Sequence, residues 1–165
     1  MMKKIGYTCI SLFVLFVLLS CKASLTENLP DLGPEIDLSQ LNTLIKISVP
    51  KECNSFKLNK EVCLQIINLS EKNWEFNVKK GIQIFQLVNN EWRKVSDKAI
   101  DQGAIDMILG PKGDFPNDKR VIPIFPDIKS DQAVFLRIFV IVYNQDPENL
   151  HQNTAGAFVD VTLKP

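Results

Sequence analysis

Catalytic and metal-binding patterns are missing from this sequence, and histidine is nearly so. His151 is the single histidine, and none of the patterns Gly-x-Ser-x-Gly, phosphate-binding glycine loop, HExxH or paired-cysteine zinc site occurs in the 165 residues. Those patterns normally position a nucleophile, a phosphate group or a metal ion. A lone histidine in a loop is more often a solvated residue than a catalyst. The sequence therefore predicts no catalytic residues, no metal site and no cofactor.

An excess of charge of either sign is also missing. Basic and acidic residues number 19 each, and the two lysines of Met1–Ser20 are the only charges in that segment. The remainder of the chain would carry a net charge of −2. Lysine and arginine form no cluster that could follow a phosphate backbone. Nucleic acid is therefore not among the expected partners.

The one long apolar run stands at the N-terminus. Lys3 and Lys4 precede Ile5–Leu19, which is diluted at its start by small and polar residues. A positive start, a short apolar stretch and a small residue before Cys21 are the parts of a secretory signal peptide, and the stretch is short for a membrane span. The sequence predicts a signal peptide over residues 1–20, with an uncleaved N-terminal anchor helix as the alternative.

The end of this run resembles the lipobox of bacterial lipoproteins. Leu18-Leu19-Ser20-Cys21 has the leucine, the permissive residue, the small residue and the cysteine of that motif. The resemblance implies that the Cys21 thiol receives a diacylglycerol and that cleavage makes Cys21 the first mature residue. Acyl chains contribute about 0.8 kcal/mol per buried methylene, which holds a protein to a bilayer without a spanning helix. Lys22 after the cysteine favours the outer membrane or cell surface, and the protein is expected to be exported rather than cytoplasmic.

Residues 21–40 are predicted to form a lipidated flexible tether. Pro30, Gly33 and Pro34 fall within this segment, acidic residues recur, and no helical or alternating period runs through it. An alternative for Leu38–Leu41 is that these residues pack onto the edge of the following domain.

Residues 41–165 are predicted to form one all-β domain, an antiparallel β-sandwich of seven or eight strands. Short runs of β-branched and aromatic residues alternate with turn formers, and no convincing amphipathic helix appears. The predicted strands are Leu44–Val49, Val62–Leu69, Trp74–Val78, Ile82–Val88, Glu91–Val95, Val121–Phe125, Ala133–Tyr143 and Ala157–Leu163. Asp97–Arg120 is interpreted as the longest irregular segment. In architecture the pattern resembles bacterial immunoglobulin-like or fibronectin-type sandwiches.

The four cysteines divide into two pairs by position. Cys9 lies in the predicted signal peptide and Cys21 would carry the lipid. Cys53 and Cys63 remain as an even pair in an exported domain, for which a disulfide is the default expectation. Such a ring would stabilise the fold by roughly 3 kcal/mol in the loop-entropy model. Two reduced thiols are the alternative.

Two loops are the predicted binding surface. Phe115 is the one aromatic in the turn-rich stretch Gly110–Asp118, and it either packs back as a loop anchor or stands out as a contact residue. Its neighbours Asp114 and Pro116 belong to the same candidate site. The second candidate binding loop surrounds Asn149, Leu150 and His151.

These features favour a lipid-anchored protein of the envelope or cell surface with a non-enzymatic binding or scaffolding role. Its partners would be the membrane, through Cys21, and a protein recognised by the loops. An immunoglobulin-like protease inhibitor is the alternative, since such inhibitors present loops from one end of a sandwich. An envelope enzyme with an unrecognised site is a third reading, because paired carboxylates meet only in space.

Overall fold

A computed structural model describes residues 29–32, 36, 38–53, 55–98, 106–145 and 152–165. The chain divides into Met1–Asp31 and a compact unit, Leu32–Pro165, which contains the fold. The lipobox residues and the loop residues Asn149–His151 lie outside the described residues. Within those ranges, no helix has the length and apolar character needed to cross a membrane.

The unit is an all-β antiparallel sandwich of nine described strands. Its strands are β1 Ile45–Ser48, β2 Val62–Asn68, β3 Trp74–Asn77, β4 Ile82–Val88, β5 Glu91–Val95, β6 Asp106–Leu109, β7 Lys119–Ile124, β8 Val134–Gln145 and β9 Gln152–Leu163. One helical turn, α1 (Val78–Gly81), joins β3 to β4, and short 3₁₀ turns occupy Leu38–Gln40 and Lys51–Cys53. The sequence prediction of an antiparallel sandwich is confirmed.

The strands form two sheets that share one core. The smaller sheet has the order β1-β2-β7, and the larger contains β5-β4-β8-β3-β6 with β9 on β8. Strand β9 pairs with β8 along its whole length, from Val134 to Gln145. Strands β4 and β3 therefore share the other edge of β8, one after the other. Strands β3 and β4 thus follow one another along the same edge of β8, and the helical turn α1 connects them.

The long apolar run of β8 reflects burial on both faces of the larger sheet. Leu136, Ile138 and Val140 point into the core between the sheets. The alternate residues Arg137 and Phe139 lie on the opposite face and are buried as well. A strand covered on both faces shows a nearly continuous apolar pattern instead of alternation.

Arg137 is the charged exception in that run, and its partners explain its burial. Its guanidinium donates two hydrogen bonds of 2.7 Å to the Asp160 carboxylate. Its centre lies 4.9 Å from the Trp92 ring and 4.5 Å from the Phe158 ring. A bidentate ion pair stacked between two aromatic rings supplies the interactions that a buried guanidinium loses with water.

The segment before β1 joins the edge of β9. The Asn42 amide donates to Gly156 O at 2.9 Å, and the Phe158 amide donates to Asn42 Oδ1 at 2.9 Å. A Cβ on Gly156 would stand 3.1 Å from Leu41 Cδ2. The absence of a side chain at Gly156 therefore makes room for Leu41 on the sheet.

Two sequence predictions about strands need correction. Asp97–Arg120 is not irregular throughout, because β6 and the start of β7 lie in it, which raises the strand number to nine. β9 begins at Gln152, five residues before the predicted start at Ala157. In both cases pairing with a neighbouring strand overrides a weak local pattern.

Candidate binding surface

The β6–β7 loop, Gly110–Asp118, presents Phe115 to solvent. The Phe115 side chain is 70% exposed, and its neighbours Asp114 and Pro116 are exposed too. Of the two expectations for Phe115, the structure has the ring standing out from the loop. An aromatic ring at that exposure gains most from burial against another molecule.

Backbone hydrogen bonds within the β6–β7 loop fix its shape. The Gly110 amide donates to Asn117 O at 2.8 Å, and the Asp118 amide donates to Asp114 O at 2.9 Å. A Cβ on Gly110 would stand 2.9 Å from Asn117 Cβ, so any larger residue there would displace the turn. The loop therefore presents Phe115 in one backbone conformation, which lowers the ordering cost of a contact.

Asn68 attaches this loop to the core. It is fully buried at the end of β2, and its Nδ2 donates to Gly110 O and to Lys72 O, both at 2.7 Å. Its Oδ1 accepts hydrogen bonds from the amide and the hydroxyl of Ser70. The Ser70 hydroxyl in turn accepts from Trp74 Nε1 at 2.7 Å. One buried amide thus connects the β2–β3 turn, the core tryptophan and the start of the loop.

Two further exposed apolar side chains lie on β6 and β7, the strands that this loop joins. Ile108 is 60% exposed and Val121 is 56% exposed, and with Phe115 they are the three most exposed large apolar side chains of the described residues. Arg120 connects the loop to β6, because its guanidinium donates to Ile108 O at 3.0 Å and to Pro116 O at 3.3 Å. We call the exposed tip of the loop, Asp114, Phe115 and Pro116, the Phe115 surface.

Basic groups border the Phe115 surface. Lys119 Nζ lies 4.2 Å from the centre of the Phe115 ring, a cation–π contact. Lys112 is exposed on the same loop. The loop also carries two carboxylates, of which Asp118 Oδ2 accepts from the Gly113 amide and Asp114 Oδ2 accepts from Asn117 Nδ2. Lys112, Lys119 and Arg120 outnumber these two acids, so the loop and the start of β7 offer a partner more cations than anions.

The strand ends beside the second predicted loop lie at the same end of the sandwich. Gln145 pairs with Gln152 across the β8–β9 hairpin. Asn144 Nδ2 donates to Asn73 O at 2.9 Å, in the turn whose Ser70 O accepts from the Lys112 amide at 2.8 Å. The segment from β8 to β9 therefore leaves and re-enters the fold at the end that carries Phe115.

A cleft that the sequence does not predict lies over β3, β6 and β8 of the larger sheet. It has a volume of about 640 Å³, within the usual range for ligand sites, and is lined by strands β3, β6 and β8 and by α1. Its lining residues are Glu75, Phe76, Asn77, Lys80, Asp106, Met107, Ile108 and Tyr143. The alternation around Trp74 and Phe76 signals that Glu75 and Asn77 point away from the core. Asp106 carried no signal, because it falls in the stretch predicted to be irregular.

Asn77 organises the polar side of the cleft. Its Oδ1 accepts from the Lys80 amide at 2.9 Å and caps α1, while its Nδ2 donates to Asp106 Oδ1 at 2.5 Å. Glu75 and Asn77 are two apart on β3 and opposite Ile108 and Asp106 on β6. The two carboxylates therefore lie on neighbouring strands and on one face of the sheet.

Cys63 is buried on β2, and its Sγ donates to Glu61 Oε1 at 3.3 Å. No disulfide joins any two of the described side chains, and the Cys53 side chain is not one of them. The Cys53–Cys63 disulfide stays a prediction. Over the same described ranges, no group of three or more His, Cys, Asp or Glu residues could hold a metal ion.

No known family model matches the chain, and no curated protein is significantly similar to it.

Proposed function

We propose that this chain is a lipid-anchored envelope or cell-surface protein whose β-sandwich binds a protein partner without catalysing a reaction. The observation that carries the proposal is the exposure of Phe115 on a loop held by buried hydrogen bonds. Binding energy at protein interfaces concentrates in a few aromatic or arginine anchors that fill pockets in the partner. An anchor that is already ordered loses little freedom on binding.

The composition of the Phe115 surface defines the partner's chemistry. Phe115 and Pro116 are its exposed apolar residues, and Lys112 and Lys119 border them. A complementary protein supplies an apolar pocket for the phenyl ring and carboxylates at the rim. Rim charges of opposite sign add orientation and association rate more than affinity.

Membrane anchoring rests on the lipobox resemblance of Leu18–Cys21. Lipidation at Cys21 would hold the sandwich at the outer membrane or cell surface, where a partner in the envelope can reach the Phe115 end. The protein would then be a small recognition domain on a lipid anchor.

Protease inhibition is the second candidate. It is favoured by the strand ends of two loops meeting at one end of the sandwich, since immunoglobulin-like inhibitors use such loops. The smaller sheet β1-β2-β7 and, within the larger sheet, the neighbouring strands β5, β4, β8 and β9 support that resemblance, because immunoglobulin-type sandwiches also divide their strands into two such sheets. Inhibition of cysteine and serine proteases by the purified domain, lost in Phe115→Ala, would favour this candidate.

Site-specific photo-crosslinking in intact cells tests the binding proposal. A benzoyl-phenylalanine at position 115 should give a discrete protein adduct, because its ring would sit inside the partner's pocket. The same group at Leu38, which is also exposed but lies before β1, is the matched control. Absence of an adduct specific to position 115 would contradict the proposal.

A further inference from the structure

We propose that the cleft between β3, β6 and β8 is a second site, which binds a neutral saccharide. Its residues are distinct from the Phe115 anchor, and its ligand is of a different class from the protein partner proposed above. The inference rests on the groups that line the cleft and on their arrangement.

Hydrogen-bonding groups of several kinds line the cleft. Glu75 and Asp106 supply carboxylate acceptors, Lys80 supplies an ammonium donor, and Tyr143 supplies a phenol. Vicinal hydroxyl groups of a sugar each donate and accept, so a mixed set of this kind can engage several of them. Hydrogen bonds from hydroxyls to ionised carboxylates are roughly twice as strong as those between neutral groups.

Asn77 prepares Asp106 for such a ligand. One carboxylate oxygen of Asp106 accepts from Asn77 Nδ2, and Asn77 is itself fixed by the Lys80 amide. The carboxylate is thereby oriented before any ligand arrives, which reduces the cost of ordering it.

Apolar groups complete the site. Met107 and Ile108 line the cleft together with the half-buried ring of Tyr143. The C–H faces of a pyranose ring are apolar, and they gain from packing against an aromatic ring and aliphatic side chains. A site with apolar walls and a few placed polar groups is typical of small-molecule recognition.

Charge selects a neutral ligand over an anion. Glu75 and Asp106 outnumber Lys80, so a phosphate or carboxylate in the cleft would meet two negative groups against one positive. A cationic amine is the competing occupant, and Lys80 opposes it.

Isothermal titration of the full mature chain with neutral trisaccharides tests this inference. Maltotriose, cellotriose and tri-N-acetylglucosamine serve as probes, with spermidine as the amine. At least one trisaccharide should bind with Kd below about 1 mM, and Glu75→Gln and Asp106→Ala should each weaken it at least about tenfold. Glu71→Gln, an exposed carboxylate in the β2–β3 turn, is the matched control and should change nothing.

The outcomes separate the two sites. Phe115→Ala should leave saccharide binding unchanged while removing the protein adduct. Loss of saccharide binding in Glu75→Gln with folded structure kept, judged by the circular dichroism spectrum, supports the inference. Failure of every trisaccharide to bind, insensitivity to both cleft variants, or binding of spermidine alone would overturn it and leave the Phe115 proposal standing.

Discussion

Asn68 Nδ2 donates a 2.7 Å hydrogen bond to the carbonyl oxygen of Gly110, and so joins a core strand to the first residue of the β6–β7 loop. Asn68 is fully buried and every polar atom of its side chain has a partner. The position of Phe115 therefore depends on a residue far from it in sequence. This hydrogen bond restrains the first residue of the loop against the core.

Asn68→Ala should lower the free energy of unfolding by about 3 kcal/mol, because it leaves several buried polar groups without partners. Urea unfolding of the purified domain measures the change. Asn117→Ala is the control, since its side chain makes one exposed 3.4 Å hydrogen bond and should change stability by less than about 0.5 kcal/mol. Equal effects of the two variants would contradict the anchoring role.

Two glycines of the loop should respond differently to alanine. A Cβ on Gly110 would stand 2.9 Å from Asn117 Cβ as well as close to Asp114, so Gly110→Ala must displace the loop. Gly113 has φ of +87° and no atom within 4 Å of a Cβ, so Gly113→Ala meets only backbone strain of about 1–3 kcal/mol.

Amide exchange and the position-115 crosslink report on this difference. Gly110→Ala should expose the Lys112 amide, which donates to Ser70 O, and reduce the crosslink. Gly113→Ala should lose stability but keep both signals. A crosslink unchanged in Gly110→Ala would argue that the loop's shape has no part in recognition.

Asp160→Asn should destabilise the larger sheet. The side chain of Arg137 is 8% exposed and that of Asp160 is 32% exposed, so the variant leaves the buried Arg137 guanidinium without a carboxylate partner. We expect a loss of about 2–3 kcal/mol in urea unfolding. Asp127→Asn removes a more exposed pair with Lys98 and should cost less than about 1 kcal/mol. A larger loss of stability from Asp127→Asn than from Asp160→Asn would contradict the greater contribution of the buried pair.

Cys21→Ser should leave an unprocessed precursor. If Leu18–Cys21 acts as a lipobox, the thiol is the acceptor of the lipid, and serine cannot replace it. Metabolic labelling with palmitate and the migration of the protein on a gel follow the change, with Cys9→Ser as the control that matures normally. Normal maturation and labelling of Cys21→Ser would refute the lipid anchor.

Sequence patterns gave most of the fold where side chains alternate or run continuously apolar. Trp74–Val78 alternates because one face of β3 packs on the core, and β8 is apolar because both of its faces are covered. Strand β6 was missed because its four residues form a strand through pairing with β3, and such pairing has no local signature. The start of β9 is small and polar and is ordered by β8.

The two candidate sites also differ in how far the sequence predicts them. Phe115 is recognisable from sequence because an aromatic residue among turn formers is a local feature. The cleft required the register that brings Asn77 opposite Asp106, two residues 29 positions apart. A juxtaposition of this kind is fixed by strand pairing and cannot be read from either segment alone.

The affinity of the partner captured at position 115, measured by titration against Phe115→Ala and Leu38→Ala, tests the central claim most directly. Burial of an aromatic anchor is commonly worth 2 kcal/mol or more at an interface, so Phe115→Ala should raise Kd by a factor of about 30 or more. Leu38→Ala should leave Kd within about twofold, as expected for a residue outside the interface. Equal affinities of Phe115→Ala and the unmodified chain would contradict the proposal that this surface recognises the partner.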